Sequence, residues 1–479
     1  MRSERSPSGE VSRRDFLTVG VIAAGFPAIA SAADPLSHRQ ASGIKVGEVT
    51  DTTATIWVRL TAHSARNDNG PKIVGRNTKD DSPLADADVL KLHGGCPGAP
   101  GRVRVRYGSK PELNEAKTTA WVDVTEKTDS THQFTLAGLP ADSVVHYAVD
   151  TTDPEKTPHG SLTGTFRTAP KPDADAEVAF AVVTCQMYAD LDHPDGFHIY
   201  PAIRALAPRF VAFTGDNVYY DSERPRAVTP PLARYHWERM YSLPRHAELL
   251  RTVASYWEKD DHDCLKNDSW PGQKMGDLTY EEGQRIFRQQ VPVGGTIYRT
   301  FRWGKHLQVW LTDGRDFRSP NSMKDGPDKT IWGKEQKAWL FRTLKASDAA
   351  WKVIITPTPL VGPDRGGKGD NHANKGFQTE GDEVRAWIKT NTSGNTFTIC
   401  GDRHWQYHSV HPTTGLNEFS VGAASDAHAG GSPGKDKNYH KFHRVKGGFL
   451  SVTARETAII FRHHDVQGKV VYEYVAKAV

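Results

Sequence analysis

Hydrophobic and polar positions divide the chain into two regimes. In the first, apolar residues alternate with polar ones over short stretches. Residues 43–59 show this most clearly: Val49, Ala54, Ile56 and Val58 are the inward positions of two short strands joined by Thr50-Asp51-Thr52. Residues 103–107, 143–149 and 164–168 repeat the pattern. Short strands separated by turn residues predict a β-sandwich of immunoglobulin or fibronectin type. Residues 62–100, rich in Gly, Asp, Asn, Lys and Pro, read as a long loop, and 169–175 as a Pro-rich linker. In the second regime the apolar runs are near-continuous, as in 178–184 and 211–213, which predicts strands covered on both faces. Residues 196–208 lie between these two runs with helical spacing at Phe197, Tyr200, Ile203 and Leu206. The resulting β-α-β unit implies a parallel sheet. Further strands are expected at 252–257, 307–312, 351–356 and 396–400. A helix is expected over 333–344, with Trp339, Leu340 and Leu344 on one face, and alternating strands over 458–464 and 470–475.

With 479 residues the chain exceeds one ordinary core, so two domains are expected, at 34–170 and 171–479. A content of 37% hydrophobic and 25% charged residues describes a soluble globular protein. Beyond the N-terminus no apolar window of about 18 residues occurs, so no permanent membrane span is expected. A net charge of +4, without a Lys/Arg run or a basic-aromatic stripe, excludes nucleic acid as a structural partner. Residues 1–33 read as an address: Arg2, Arg5, Arg13 and Arg14, a short apolar run over 16–26, then small residues. Ser12-Arg13-Arg14-Asp15-Phe16-Leu17 resembles the twin-arginine export signal. It implies the twin-arginine export machinery as a partner and a folded protein in the periplasm or outside the cell. Cys96, Cys185, Cys264 and Cys400 form no CxxC pair, which excludes zinc knuckles and thioredoxin motifs. An oxidising compartment leaves open whether any of them pair.

Chemistry concentrates at the carboxyl ends of the second-regime strands, where open α/β sheets place their ligands. Gly215 ends the strand over 211–213, and Asp216 with Tyr219 follows; a carboxylate beside a phenolate suits a hard trivalent cation such as Fe³⁺. Cys185 follows the preceding strand and is expected beside Asp216, either as a thiolate ligand or as a buried structural thiol. After 252–257 comes Glu258-Lys259-Asp260-Asp261-His262-Asp263, which is either a solvated loop or a cation site. After 307–312 come Arg315 and Arg318, whose planar forks suit phosphate or, alternatively, a structural Asp–Arg pair. The long loop 357–376 holds His372, a ligand candidate or a surface histidine. After 396–400 comes Gly401-Asp402-Arg403-His404, where Asp402 and His404 can face one point. Such a succession of strand ends describes a polynuclear metal site.

Taken together, Cys185-Gln186, Gly215-Asp216-x-x-Tyr219, Asp260-Asp261-His262 and Gly401-Asp402-Arg403-His404 resemble the PhoD-type alkaline phosphatases of the calcineurin-like metallophosphoesterase superfamily. The twin-arginine signal and the opening Val46-Gly47-Glu48-Val49 are similar to that family too. The resemblance implies a four-layer αββα metallophosphoesterase sandwich preceded by an N-terminal immunoglobulin- or fibronectin-like β-sandwich. It implies a hydrolase of small-molecule phosphate esters that uses Fe³⁺ with Ca²⁺, zinc being the alternative. Cys185, Asp216, Tyr219 and His404 would hold the iron, and Asp216 would bridge to a calcium completed by Asp260, Asp261 and Asp402. Asn217, Arg315 and Arg403 would bind phosphate, Arg315 also stabilising charge, and His262 would protonate the leaving alkoxide. The attacking group would be a metal-bound hydroxide, in line with the ester oxygen. The chain departs from the family pattern at Asp263, where Glu is frequent, and at its end, where strands replace a closing helix. Alternatives are a phosphodiesterase acting on lipid or teichoic-acid phosphodiesters, a purple-acid-type Fe–Zn enzyme, and an exported binding protein with a structural metal site.

Overall fold

The computed structural model describes residues 38–76, 84 and 86–478. The export leader expected at 1–33 lies outside the described residues. A nine-stranded mixed sheet runs through the molecule. At its centre Val178–Val183, Phe210–Thr214 and Ala254–Glu258 pair in parallel, with Val183 and Trp257 flanking Phe213 in register. A seven-stranded sheet is built around Leu307–Leu311, Trp351–Thr356, Thr396–Cys400 and Asn417–Ser420, also parallel.

The near-continuous apolar runs are explained by what covers each face. Phe180, Val182, Ala212 and Tyr256 meet Val309, Val353, Ile355 and Ile399 in one core between the two sheets. The alternate residues Val183, Val211, Phe213 and Trp257 pack outward against Tyr200, Trp237, Leu249 and Phe287. These come from the helices Ile199–Ala205, Pro230–Tyr241, Pro244–Leu250 and Tyr280–Gln290. On the far side Trp310 and Ile354 meet Leu340 and Leu344 of Gly333–Ala346 and Val384 and Ile388 of Gln378–Asn391. The order helix, sheet, sheet, helix gives four layers, and the central strands are buried on both faces.

The N-terminal strands divide between two sheets. Lys117–Thr118, Gly101–Gly108, Val144–Thr152 and Leu162–Arg167, with Val122–Val124, form a separate five-stranded sheet. Lys45–Gly47, Thr53–Arg59 and Thr131–Ala137 instead continue the nine-stranded sheet, and Gly47 pairs in parallel with Ser255. The N-terminal sandwich therefore shares one leaf with the sheet that carries the candidate site. The residue pattern explains why. Val49, Ala54, Ile56 and Val58 are buried as expected, but Thr55, Trp57 and Arg59 on the opposite face are buried too. Trp57 Nε1 donates to Gln289 O at 2.7 Å, at the end of the helix Tyr280–Gln290. A free sandwich leaf would leave that second face in water.

Other sequence expectations need correction. Leu206, placed on the buried face of the first helix, is 44% exposed, because the helix ends at Ala205. All four cysteines are free and buried, so none pairs. His372 is fully buried, and its Nε2 lies 2.8 Å from Glu380 Oε2; it is neither a surface residue nor part of the cation cluster.

Arg59 fastens the shared leaf to the helical layer. Its Nη2 lies 2.9 Å from both Asp129 Oδ1 and Glu238 Oε1, and its Nη1 donates to Ser42 Oγ at 3.1 Å. Removing one partner of a buried ion network leaves the other charges unpaired in a poorly solvated place. Arg59→Met is expected to lower stability by about 3–5 kcal/mol, read as a shift in urea midpoint at unchanged slope. A loss below about 1 kcal/mol would show that the clasp is ornamental.

Candidate metal centre

Three strand ends present their candidate ligands in the same backbone geometry. Cys185, Asp216 and Asp402 each follow a strand after one residue, and all have positive φ, at 52°, 52° and 59°. Non-glycine residues hold this left-handed conformation at a cost of about 1–3 kcal/mol each, usually where a site requires it. Two glycines make the approach feasible. A Cβ on Gly215 would stand 2.6 Å from Asp260 Cβ, and one on Gly401 would stand 2.5 Å from Thr214 Oγ1. Gly215-Asp216 and Gly401-Asp402 thus bring neighbouring strand ends into contact.

Asp216 is the centre of the cluster. Its Oδ2 lies 3.5 Å from Cys185 Sγ and accepts from the Tyr219 hydroxyl at 3.0 Å. The Tyr219 oxygen lies 3.4 Å from His404 Nε2. Ligand atoms fall within 4.8 Å of one another in three groups: Cys185, Asp216 and His404; Asp216, Asp261 and His262; Asp216, Asp260 and Asp402. Asp216 belongs to all three. The expected iron and calcium donors are therefore gathered at one place. The carboxylate oxygens Asp216 Oδ1, Asp260 Oδ2 and Asp261 Oδ1 are buried without a hydrogen-bond partner among the described residues. Unpaired buried oxygens of this kind are costly unless a cation takes them.

The electrostatics agree. Burial, joined by the charges of Asp261, Asp260 and Asp263, pushes Asp216 well above the usual carboxylate range. Burial also raises Asp260, to about 6, against the pull of Arg315. Burial and the Asp216 charge push the Cys185 thiol and the Tyr219 phenol well up. Left to themselves both would keep their protons, and a bound cation reverses that balance. His404 is held neutral, since burial and then His428 pull it well below its ordinary value; neutral imidazole is the ligating form. A thiolate, a phenolate and a neutral imidazole fit a trivalent or borderline cation, and the carboxylate side fits a hard divalent one.

The residues expected to bind phosphate pair with groups in and beside the cluster. Arg315 is fully buried, its Nε 2.5 Å from Asp260 Oδ1 and its Nη2 3.5 Å from Asp261 Oδ1. Arg403 is fully buried, its Nη1 2.6 Å from Asp364 Oδ1, and it also touches Asp402. Asn217 Nδ2 donates to Glu258 O at 3.0 Å and to Asp263 Oδ2 at 3.1 Å. These three support the carboxylates from behind. The reason is charge: four packed aspartates require cations beside them, and the nearest arginines serve that need.

Asp263, and Asp221, His428, Asp190, Arg365 and Lys368, to which the sequence reading gave no role, complete the cluster. Asp263 accepts from the backbone N–H groups of Asn217, Val218 and Asp260 at 2.8, 3.1 and 2.9 Å. His262 Nδ1 lies 2.5 Å from Asp221 Oδ1. Burial pulls the His262 imidazole down, but Asp221, Asp261 and Asp216 outweigh it and hold the ring protonated well above its ordinary range. His428 Nε2 lies 2.9 Å from the Tyr219 oxygen, and its Nδ1 lies 2.7 Å from Asp190 Oδ2. From the 357–376 loop, Arg365 acts electrostatically on His404 and Lys368 on Asp261. Lys368 Nζ lies 2.8 Å from Asp268 Oδ1, and Arg365 is 38% exposed at its side chain. Asp221 stands in the Gly215–Asp221 stretch itself and was within reach of pattern reading; His428 and Asp190 follow no predicted strand.

Comparisons with known proteins agree with this geometry. The family model described as PhoD-like phosphatase matches residues 180–473, and the PhoD-like phosphatase N-terminal domain model matches residues 27–170. Alkaline phosphatase D of Bacillus subtilis (strain 168) is 24% identical over 325 residues, 56% of this chain and 52% of that protein. The match thus spans about half the length of that curated relative. A solved structure of PhoD superposes with a TM-score of 0.69 at 16% identity, covering 93% of this chain and 90% of the other. Purple acid phosphatase PPD1 from yellow lupin (Lupinus luteus) seeds superposes with a TM-score of 0.62 at 13% identity, covering 91% and 74%. At those identities the structures speak for the fold.

The Asp263 carboxylate is the link most exposed to a small chemical change. An amide keeps one acceptor and turns the other into a donor facing N–H groups. Asp263→Asn is expected to cost about 2–3 kcal/mol of stability. It should also reduce metal retained after dialysis against a weak chelator, as read by elemental analysis. Full metal content at unchanged stability would remove Asp263 from the framework of the site.

Proposed function

The chain belongs to the PhoD-like phosphatase family, and from that premise we propose that it is an exported, metal-dependent hydrolase of phosphate esters. The observation that carries the reading is the shared position of Asp216. Thiol, phenol and imidazole donors stand on one side of it and carboxylates on the other. We assign Fe³⁺ to Cys185, Asp216, Tyr219 and His404, and Ca²⁺ to Asp216, Asp260, Asp261 and Asp402. Zinc is the alternative occupant of the first set, since Cys, His and Asp are also its ligands. When bound, such cations lower the pKa of water and neutralise charge on a phosphoryl group.

The side chains then have separable tasks. His262, ring to ring with Tyr219 at 4.4 Å, carries a proton that can pass to the leaving alkoxide. Asp221 lies outside all three donor groups and holds the His262 ring at Nδ1. Arg365 and Lys368, on the 357–376 loop, supply positive charge for the non-bridging phosphate oxygens. Arg315 holds Asp260 and Asp261 in place, and Arg403 holds Asp402. Export rests on the twin-arginine sequence at 12–17, with the periplasm or the exterior as destination. Among the described residues no helix is long and apolar enough to cross a membrane.

Asp216→Asn is expected to cut phosphate-ester hydrolysis by about a thousandfold or more in a protein of unchanged circular dichroism. Retained activity would overturn the site. Iron with calcium on elemental analysis, and a visible absorption band that Tyr219→Phe removes, are expected of the exported enzyme. Zinc alone, or no bound metal, would overturn the iron assignment. Asp221→Asn is expected to slow turnover of esters with poor leaving groups by about tenfold to a hundredfold, and that of aryl esters much less. An equal loss on both would remove His262 from the role of acid.

A further inference from the structure

The outward face of the N-terminal five-stranded sheet carries a second concentration of charge. On Gly101–Gly108 the residues alternate: Val103 and Val105 enter the core, while Arg102, Arg104 and Arg106 stand half-exposed on the other face. Together with Trp121, Lys156 and Asp150 they line a groove of about 580 Å³, a volume in the range of small-molecule sites. None of these residues belongs to the cation cluster around Asp216.

Charge in this groove does not balance. Arg104 Nε and Arg106 Nε both lie 2.9 Å from the same atom, Asp150 Oδ2, and Arg106 Nη2 lies 2.9 Å from Asp150 Oδ1. Two guanidinium groups therefore converge on a single carboxylate. Ser161 Oγ also donates to Asp150 Oδ1, at 2.6 Å, which fixes the carboxylate's orientation. Arg102 and Lys156 add two more positive charges to the lining, so four cations face one anion. The neighbouring Asp123 lies 3.4 Å from Arg102 but is 82% exposed at its side chain, where solvent screens it. Both Nη groups of Arg104 and Nη1 of Arg106 have no hydrogen-bond partner among the described residues. Fixed donors in excess over acceptors, with like charges held together, are stabilised by a second anion that takes several of them at once. Arginine forks match tetrahedral oxyanions in this way. Trp121 faces Arg104 at 4.5 Å and Arg102 at 5.6 Å from its ring centroid, so its ring backs the guanidiniums and offers no open platform for a base.

We propose that this groove is a non-catalytic binding site for a phosphate group, held by Arg104, Arg106, Arg102 and Lys156 on the N-terminal domain. The proposal stands apart from the catalytic reading, because it concerns binding at residues remote from the Asp216 cluster in the fold. A phosphate in this site has two sources, the free ion or a phosphate carried in a longer anion.

Calorimetric titration of the whole exported protein with inorganic phosphate and, separately, with tripolyphosphate at low salt tests it. Saturable binding is expected, weakening as salt rises. It should weaken about tenfold or more in Arg104→Gln/Lys156→Gln, a pair that leaves Asp150 its bonds to Arg106. Lys156→Gln alone, at an exposed position, keeps the test valid if the double variant folds poorly, and should weaken binding in the same direction. Phosphatase turnover is expected to stay unchanged in both variants. Equal affinity for the two probes identifies the free ion as the ligand, and binding of tripolyphosphate alone identifies a phosphate within a longer anion. Binding untouched by either substitution belongs to the metal cluster and overturns the proposal, as does the absence of any binding.

Discussion

Asp263 ties two strand ends into one centre. Its carboxylate takes N–H groups of Asn217 and Val218 from the turn after Phe210–Thr214, and that of Asp260 from the turn after Ala254–Glu258. Asn217 Nδ2 adds a fourth bond. Burial raises the Asp263 pKa to about 7, while these backbone bonds pull it down. Without this link the two loops would be free to separate under the mutual repulsion of Asp216, Asp260 and Asp261.

The surrounding architecture turns that link into a site. Parallel pairing puts Thr214 beside Glu258, and Thr356 beside Cys400, so successive strands end at one level. The two sheets stack across one core, which brings Gly401 at the end of one sheet against Thr214 and Thr184 at the end of the other. Only this close approach lets Asp402 and His404 join residues of the nine-stranded sheet. The cost is visible in the left-handed backbone of Cys185, Asp216 and Asp402 and in the unpaired oxygens they help surround.

How much of this was legible depended on the kind of information each feature carries. That Cys185, Asp216, Tyr219, Asp260, Asp261, Asp402 and His404 would gather at one end of the sheets was legible because each follows an apolar run, and position along a parallel strand is a one-dimensional fact. The direction in which Asn217, Arg315 and Arg403 point is a tertiary fact. All three looked like phosphate ligands by type, and packing instead set them against carboxylates. His428 and Asp190 escaped because neither follows a strand of the pattern, and only the fold carries them to Tyr219. The sharing of a sandwich leaf with the larger sheet escaped for a related reason: alternation identifies a buried face, not the sheet to which the strand adds. The burial of Thr55, Trp57 and Arg59 was the trace of it in the residues themselves.

The donors around Asp216 also differ in what they must give up to bind. Cys185 and Tyr219 are raised by burial and by the Asp216 charge, so taking a cation there means displacing two protons. A cation taken there must offset that cost by polarising its ligands, as bound zinc does for a coordinating thiol. On the other side Arg315 and His262 outweigh burial and hold Asp261 well below the usual carboxylate range. That carboxylate is already ionised, and a hard divalent ion needs to displace little there. Asp216, common to both sides, cannot carry a full negative charge beside its neighbours unless a cation is near. Filling either side therefore lowers the cost of ionising the ligand that the other side shares. The two halves thus differ in the donors they offer and in the protons they must give up, while sharing one carboxylate.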